Sequence, residues 1–362
     1  MPRTMVAMSG GVDSAAAAAL LMEQGHDCAG VHLKLLPQDA DAPARAKSCC
    51  SLSDTEDARA AAQRLGIPFY VFNMQALFAK TVIRRFAEGY AKGETPNPCV
   101  DCNRYLKFGA LLEKARALEY DSIATGHYAR RTRQGSRWLL RKGADPGKDQ
   151  SYVLYMLTQA QLERTFFPLG EYLKEQAREL AEEYRLLNAQ KRDSQDICFV
   201  PEGDYGAFLA RYWGRPLCPG HFVSPEGKVL GTHRGTPCYT LGQRKGLGLA
   251  LPRPGYVCAI DSARNTVTVG GEGLLFSKEA HVRELNLVAC DALEAPLRCK
   301  AKVRYRQAEQ WAVAVQTGPS TLRVVFDEPQ RAITPGQAVV LYDGDIVIGG
   351  GSVHADPYTS AK

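Results

Sequence analysis

A glycine turn lies near the start of the sequence, between two apolar stretches of different kinds. Residues 5–8 form a short apolar run typical of a strand, and residues 13–24 form an alanine-rich stretch typical of a helix. Between them the chain reads Ser9-Gly10-Gly11-Val12-Asp13-Ser14. Glycines let the backbone approach an anion closely, and a helix start with serine hydroxyls supplies donors for phosphate oxygens. The segment therefore predicts a strand, a phosphate-binding loop and a helix.

Strand and helix patterns alternate through the first third of the chain. Such alternation predicts a doubly wound α/β fold, in which helices wrap a parallel sheet. The predicted strands are 28–33, 69–72 and 122–125, the predicted helices are 54–65 and 105–118, and Phe78, Val82, Phe86 and Tyr90 form one apolar helical stripe. Residues 158–190 also read as helical, with a break at 167–170.

Length and pattern together predict three domains. A chain of 362 residues exceeds the size at which a single core keeps growing. We expect a catalytic nucleotide-binding domain at 1–205, a small Gly- and Pro-rich central domain at 206–272 and a C-terminal all-β barrel at 273–362. The barrel is expected from apolar runs at 301–305, 311–315, 322–326 and 338–342.

Charge and cysteines narrow the class of function without naming it. A net charge of +6 mildly favours polyanionic partners. Eleven cysteines without the dense spacing of a secreted scaffold indicate a reducing compartment. No segment is apolar enough to cross a membrane, and the start of the chain has no room for a signal peptide. We therefore expect a cytoplasmic protein without a membrane partner.

Asp13 and the missing lysine distinguish this loop from other phosphate loops. No lysine follows the glycines as in GxxxxGK[ST], so the grip on a γ-phosphate is absent. Asp13 is a magnesium-facing carboxylate, a loop-ordering carboxylate or a capping residue. The string at 9–14 resembles the pyrophosphate loop of the PP-loop ATPase family, whose members break ATP between the α and β phosphates to adenylate a substrate. The alternative is an ordinary glycine turn with a serine cap.

Further motifs cover nearly the whole chain and resemble the bacterial tRNA 2-thiouridylases within that family. They are residues 95–103, 124–128, 148–152, 242–246, 304–307 and 334–337. The resemblance implies ATP-dependent adenylation of the C2 oxygen of the wobble uridine in the tRNAs for Lys, Glu and Gln. Sulfur transfer from a cysteine persulfide then gives 2-thiouridine, AMP and pyrophosphate. A cysteine desulfurase or sulfur relay protein supplies the persulfide.

The same resemblance implies the site residues. Cys198 carries the incoming sulfur, and Cys102 is the nucleophile that completes transfer and can leave a Cys102–Cys198 disulfide. ATP, with Mg²⁺, is bound by Ala7, Met8, Ser9, Gly10, Gly11, Val12, Asp13, Ser14, Leu33 and Gly126. The anticodon loop and stem of tRNA are contacted by Asn97, Pro98, Cys99, His127, Lys148, Asp149, Gln150, Arg304, Tyr305 and Gln337.

Cys99 departs from the family pattern, because the best-known members have aspartate at that position. Cys99, Cys102 and Cys198 could instead bind a [4Fe-4S] cluster that delivers sulfide and gives the same product. Another adenylating PP-loop enzyme, which needs no paired cysteines, is a second alternative. The adjacent Cys49 and Cys50 are expected to have a redox or structural role rather than to bind zinc.

Cations recur at every second position from 300 to 306. In an extended strand Lys300, Lys302, Arg304 and Arg306 would point to one face, as a row that can follow a phosphate backbone. A solvated sheet face is the alternative. His127, read from the sequence alone, is as well explained by a structural role as by a functional one.

Overall fold

The computed structural model describes residues 1–37, 52–186, 197–200 and 203–354. Two compact units are present. The first comprises residues 1–82, 99–202 and 344–348, and the second comprises 83–98, 203–343 and 349–362. Within the described ranges, no helix is both long and apolar enough to span a bilayer.

Strands occur in both units. In chain order they are β1 Arg3–Ala7, β2 Asp27–Lys34, β3 Phe69–Asn73, β4 Ser122–Thr125, β5 Ala129–Gln134, β6 Arg137–Lys142, β7 Thr165–Phe166, β8 Gly220–Val223, β9 Val229–His233, β10 Tyr256–Asp261, β11 Thr266–Gly270, β12 Phe276–Leu287, β13 Leu297–Lys302, β14 Gln310–Gly318, β15 Thr321–Arg331, β16 Ala338–Asp343 and β17 Ile346–His354.

Helices are concentrated in the N-terminal half. In chain order they are α1 Val12–Glu23, α2 Leu52–Leu65, α3 Gln75–Phe78, α4 Arg84–Ala91, α5 Pro98–Asp101, α6 Leu111–Ala117, α7 Gln159–Glu163, α8 Lys174–Glu183 and α9 Tyr205–Trp213. Two π-helical segments, Ala79–Ile83 and Cys102–Ala110, lie among them.

A parallel sheet organises the first unit. Its strand order is β3-β2-β1-β4-β7, so β1 lies between β2 and β4. In this register Ala7 at the end of β1 is paired with Val31 and with Thr125. Since parallel strands end at the same edge, the loops that follow β1 and β4 begin there, beside the end of β2. The predicted doubly wound α/β fold is confirmed.

Alanines make α1 the central helix of this unit. Ala15 to Ala19 are all fully buried, which means that α1 has apolar neighbours all round rather than on one face. One side packs with α2 and α8 through residues such as Ala62 and Ala181, and the other packs with Tyr128, Leu169 and Ala177. Small side chains allow these close approaches, and the start of α1 is thereby fixed.

Several elements differ from the sequence prediction. The helix predicted at 105–118 begins at Cys102 as a π-helix and continues as α6. The region 158–190, predicted as helical, contains the two-residue strand β7 between α7 and α8. The β5–β6 hairpin was not predicted at all. Such short or charged strands carry too little apolar alternation to be read from sequence.

The second unit is built mainly from β-strands. A four-stranded sheet, β10-β11-β8-β9, has a core that includes Phe222, Tyr239 and Val257. Strands β12-β15-β14-β13-β16-β17 follow in order, and β12 also pairs with β17, which closes a six-stranded antiparallel barrel. The predicted C-terminal barrel is confirmed. One predicted strand was displaced, since 301–305 was expected and β13 is Leu297–Lys302.

Candidate active site

The predicted phosphate loop connects β1 to α1 and is held in shape by its own serines. Ser14 Oγ accepts a hydrogen bond from the Ser9 backbone N–H at 3.1 Å and donates one to the Gly11 carbonyl at 3.0 Å. Gly10 has a φ of +81°, and a Cβ at this position would collide with the Asp54 backbone. Gly11 is the N-cap of α1 and has no side chain to cover the first-turn N–H groups. These groups are donors suited to an anion.

Asp13, in the first turn of α1, is bound by two side chains from distant parts of the chain. Lys174 Nζ lies 2.7 Å from Oδ1 and 2.8 Å from Oδ2, and the Tyr128 hydroxyl donates to Oδ1 at 2.8 Å. The N-cap is Gly11, so Asp13 is not the capping residue. Among the three predicted roles, these contacts support that of a loop-ordering carboxylate.

Magnesium does not fit this carboxylate as it is arranged. Both Asp13 oxygens face the Lys174 ammonium, whereas Mg²⁺ requires oxygen ligands that are directed at the metal. Among the described residues, no group of three or more His, Cys, Asp or Glu side chains is arranged to hold a metal ion.

Three strand ends bring the predicted nucleotide-binding residues to one edge of the sheet. Ala7 ends β1, Leu33 is the penultimate residue of β2, and Gly126 follows β4 directly. A Cβ at Gly126 would lie 2.8 Å from the Asp13 carbonyl carbon and 2.9 Å from the Ser14 nitrogen. Only glycine therefore lets the end of β4 approach the start of α1 this closely.

His127, predicted to contact tRNA, is buried. Its Nδ1 lies 2.8 Å from the Thr125 hydroxyl oxygen, and its ring packs against Phe108 and Phe167 at centroid distances of 5.8 and 6.4 Å. Burial, with a smaller effect from the positive charge of Lys107, holds the pKa of His127 well below its usual range. The ring is therefore neutral at physiological pH, and its environment matches the structural alternative. Contact with tRNA remains a prediction.

The loop containing Lys148, Asp149 and Gln150 is ordered by two of these three side chains. Asp149 Oδ1 accepts hydrogen bonds from the backbone N–H groups of Gly143 and Ser151, each at 3.1 Å. Gln150 Oε1 accepts from the Tyr128 backbone N–H at 3.0 Å. Lys148 is partly exposed. Asp149 and Gln150 thus hold the loop against Tyr128, and a role for the three residues in tRNA contact stays a prediction.

The predicted catalytic cysteines lie in segments that both contact α3. Cys102 is the first residue of the π-helix, a rare element that is frequent at functional sites, and this π-helix contacts α3. Cys198 lies in the described stretch 197–200, where the buried Phe199 packs edge-on against Phe78 of α3 at 5.6 Å between ring centroids. Both cysteines are partly exposed. Their disulfide remains a prediction.

An iron–sulfur cluster does not fit the described residues. Cys99 is exposed on α5, and it does not form a metal-holding group with Cys102 and Cys198 in the part of the chain that the structure describes. The described residues therefore do not support the cluster route. The predicted roles of Cys49 and Cys50, and the motif around 193–196, lie outside the described residues.

Asn103 is a buried side chain that sequence reasoning did not single out. Its Nδ2 donates to the Val153 carbonyl at 3.0 Å, while its Oδ1 meets no hydrogen-bonding partner among the described residues. The contact connects the residue after Cys102 to the helical turn that follows the 148–150 loop. Lys174 and Tyr128 were also missed. Tyr128 belongs to a recognised motif, whereas nothing local marks Lys174, which is 161 residues from Asp13.

In the second unit, two predicted tRNA contacts make internal hydrogen bonds. Arg304 Nη2 donates to the carbonyls of Leu241 and Ala332, each at 3.2 Å, and to Thr334 Oγ1 at 2.7 Å. Gln337 Nε2 donates to the Thr95 carbonyl at 2.6 Å. Both side chains stabilise loops of this unit. A tRNA contact by either is untested, as it is for the exposed Tyr305.

Gln337 lies beside the loop that precedes Cys99. The Thr95 backbone N–H donates to the Pro335 carbonyl at 2.8 Å, and a Cβ on Gly336 would lie 3.0 Å from the Pro96 nitrogen. Two predicted tRNA-contacting segments, the one at Asn97 and Pro98 and the one at Gln337, are thus neighbours within one unit. Their sequence separation gave no indication of this.

The predicted row of four cations is wrong in its second half. Because β13 ends at Lys302, Arg304 and Arg306 lie in the turn that follows rather than on the strand face. The outward cations of β13 are Arg298, Lys300 and Lys302, and the first two lie over the ring of Trp311 of β14, a residue that is 50% exposed. Lys300 is the direct cross-strand partner of Trp311, with Nζ 5.5 Å from its ring centroid.

Known protein families match this chain from one end to the other. Residues 2–202 match the tRNA methyl transferase HUP domain, 206–271 the tRNA methyl transferase PRC-barrel domain and 277–353 the aminomethyltransferase beta-barrel domain. The three matches follow the parallel sheet, the four-stranded sheet and the barrel in order.

Relatives of known name are similar over almost their full length. The tRNA-specific 2-thiouridylase MnmA of Acetivibrio thermocellus is 49% identical over 354 residues, which cover 97% of this chain and 99% of that protein. The protein of the same name from Moorella thermoacetica is 51% identical over 353 residues, with 97% and 99% covered. A solved 4-thiouridine synthetase–RNA complex with bound ATP has a TM-score of 0.35 and 15% identity, covering 56% of this chain and 46% of that one.

Proposed function

Because this chain belongs to the tRNA-specific 2-thiouridylase (MnmA) family, we propose that it is a tRNA sulfurtransferase that uses ATP to convert a wobble uridine to 2-thiouridine. The proposed substrates are the tRNAs for Lys, Glu and Gln. The observation that carries the proposal is the edge of the parallel sheet. There the phosphate loop, with Gly10 close to the Asp54 backbone and Gly126 close to the backbone of Asp13 and Ser14, lies in the same unit as Cys102 and Cys198.

Adenylation is the first proposed step. The uridine C2 oxygen attacks the α-phosphorus of ATP, the bond to the bridging oxygen breaks, and pyrophosphate leaves while the N3 proton is released. The first-turn N–H groups of α1 and the serine-braced loop supply donors for the phosphate oxygens. The C2 oxygen, a poor leaving group before this step, then leaves as part of AMP.

Sulfur transfer is the second proposed step. The terminal sulfur of a Cys198 persulfide attacks C2, the C2–O bond breaks and AMP departs. The Cys102 thiolate then attacks the Cys198 sulfur, which breaks the bond to the tRNA sulfur and forms a Cys102–Cys198 disulfide. N3 regains a proton in the thiouridine, and a thiol reductant restores both cysteines. Partial exposure of both cysteines, in segments that contact α3, supports this assignment.

The proposed tRNA contacts lie in both units. Lys148, Asp149, Gln150 and His127 belong to the first, and Asn97, Pro98, Arg304, Tyr305 and Gln337 belong to the second, while Cys99 begins the segment that returns to the first. The target base must leave the anticodon stack to reach the phosphate loop. An unpaired base in a single-stranded loop costs least to extrude. The sulfur on Cys198 is proposed to come from a cysteine desulfurase or a sulfur relay protein.

The test is a complete reaction with ATP, substrate tRNA, a cysteine desulfurase and cysteine. We expect 2-thiouridine, AMP and pyrophosphate in equal amounts, measured by mass spectrometry of nucleosides and by nucleotide chromatography. Cys198→Ser and Cys102→Ser should each lose 2-thiouridine by at least about a thousandfold, because the thiolate is the nucleophile. The exposed Cys218 gives the matched control, and Cys218→Ser should remain active.

Three outcomes would count against the proposal. Release of ADP and phosphate in place of AMP and pyrophosphate would point to phosphoryl transfer. Full 2-thiouridine formation by Cys198→Ser would remove the persulfide step. An adenylating enzyme of another kind would form AMP with its own substrate and leave the uridine unchanged whichever cysteine is present.

A further inference from the structure

An ion pair joins Asp13 of the phosphate loop to Lys174 at the start of α8. The Lys174 side chain is 10% exposed and that of Asp13 is 30% exposed. A lysine with so little access to water must be compensated by a negative charge. Conversely, Asp13 lies in the first turn of α1, at the point where the proposed triphosphate would bind.

Both partners of Asp13 are anchored to the loop at 143–151. The Lys174 backbone N–H donates to Asp145 Oδ2 at 3.0 Å, and Asp145 Oδ1 accepts from the Gly147 N–H at 2.8 Å. The Tyr128 backbone exchanges two hydrogen bonds with Gln150, from its N–H to Oε1 at 3.0 Å and from the Gln150 N–H to its carbonyl at 2.9 Å. Lys174 and Tyr128 are therefore held in place independently of the phosphate loop.

A bare carboxylate in this place would oppose the binding of a polyanion. Charges a few ångströms apart in a partly buried site interact several times more strongly than they do in bulk water. With Lys174 paired to both oxygens, the Asp13 carboxylate is neutralised and its direction is fixed. The family loop lacks the in-sequence lysine of other phosphate loops, and here an ammonium arrives from the start of α8 instead.

We propose that Lys174 is a positioning residue for the nucleotide: it neutralises and orients Asp13 so that the loop at residues 9–14 can accept the phosphates of ATP. The inference rests on the proposed function for the identity of the nucleotide. Lys174 acts through Asp13 rather than by gripping a phosphate itself. Its loss should therefore be harmful mainly because the Asp13 carboxylate loses its positively charged partner, although it keeps the Tyr128 hydroxyl.

The experiment measures the dissociation constants of ATP and AMP by calorimetry on the full chain, without tRNA or a sulfur donor. Lys174→Met should weaken ATP binding roughly tenfold or more, and AMP binding less, because AMP carries less charge. Lys174→Arg, which keeps a cation with two donors for the two oxygens, should bind ATP within about threefold of the wild type. If Lys174→Met does not fold, Lys174→Gln gives the same comparison.

The double variant Asp13→Asn, Lys174→Met decides the matter. It lacks both charges, so it should bind ATP more tightly than Lys174→Met alone. If the single and double variants bound ATP equally weakly, the inference would be overturned and a direct contact between Lys174 and a phosphate would be indicated. An equal loss of ATP and AMP affinity in Lys174→Met would also overturn it. This experiment does not measure thiolation, so its result does not depend on the sulfur-transfer proposal. Failure of the sulfur-transfer proposal would be seen only in the nucleoside analysis.

Discussion

Cations are used in two different ways in the two units of this protein. At the phosphate-loop edge, Lys174 is nearly buried, and the carboxylate it meets has a second donor in Tyr128. On the outer face of the barrel, Arg298 pairs with Asp327 while both side chains are about half exposed, and Lys300 lies 3.6 Å from Glu309. The first arrangement has partners at several points in the chain, and the second consists of neighbours on one sheet face.

This difference determines how sensitive each region is to substitution. In a buried polar network every group needs its partner, so one substitution leaves another group unsatisfied. An exposed ion pair is screened by solvent, and its members can exchange partners, including the phosphates of a nucleic acid. We call the surroundings of residues 9–14 the loop edge, and the outward side chains of β13 and β14 the barrel face. We therefore expect substitutions at the loop edge to change the reaction strongly and those on the barrel face to change tRNA affinity weakly.

Among the substitutions that compare the two units, Gly126→Ala is expected to show the largest effect. A methyl group there would press on the backbone of Asp13 and Ser14, which cannot move without shifting the loop. Overpacking of this kind costs about 1–3 kcal/mol, so ATP binding should weaken by a factor of about 5 to 150, as measured by calorimetry. Gly273→Ala in the second unit is the matched control, because a Cβ at that position meets open space. Equal effects of the two substitutions would break the comparison.

The loop edge was largely predictable because its signals are local. A strand, two glycines and a helix start follow one another directly, and β4 was placed at residues 122–125 as observed. What could not be predicted is the partner of Asp13. Lys174 is an ordinary lysine at the start of a helix, and only the folding of the sheet brings it to Asp13. Contacts between distant residues leave no mark in a single sequence.

The barrel face was predicted in kind but not in position. Alternating cations indicated a strand, yet alternation alone does not show where a strand ends. β13 stops at Lys302, after which Arg304 turns inward to three acceptors that lie about 30 to 60 residues away in sequence. The burial of His127 could not be predicted either, since its aromatic neighbours Phe108 and Phe167 come from separate elements.

His127, a buried histidine of the first unit, is expected to make the free energy of unfolding depend on pH. Its pKa is lowered in the folded protein and lies near 6.5 in the unfolded chain, so the unfolded state binds the proton more readily. The stability it contributes is complete above about pH 6.5 and is lost as the pH falls toward the lowered pKa, by at most about 1.4 kcal/mol per pH unit. His127→Asn should flatten this loss, as measured by urea unfolding between about pH 7 and pH 5.

The control for this measurement is His281→Asn, a substitution of a partly exposed histidine on the barrel. His281 lies 3.0 Å from Glu279 and its side chain is 38% exposed, so this histidine lies at the surface of the barrel and lacks the buried aromatic surroundings of His127. Removing it should not flatten the acid loss of stability. A wild-type protein and a His127→Asn variant with parallel pH dependences would show that the buried ring does not titrate on unfolding as the structure requires.

Lys300→Gln on the barrel face is expected to show the smallest effect. If Lys300 exchanges Glu309 for a tRNA phosphate, the variant should bind tRNA only about two- to fivefold more weakly, with ATP binding unchanged. The sharper measure is the dependence of the tRNA dissociation constant on salt, whose logarithmic slope should fall by a little under one, as for one lost phosphate contact. Lys228→Gln, at an exposed position in the same unit, is the matched control and should leave the slope as it was. An unchanged slope in Lys300→Gln would mean that the cations of β13 serve only their carboxylate neighbours, and the solvated-face interpretation of this strand would then hold.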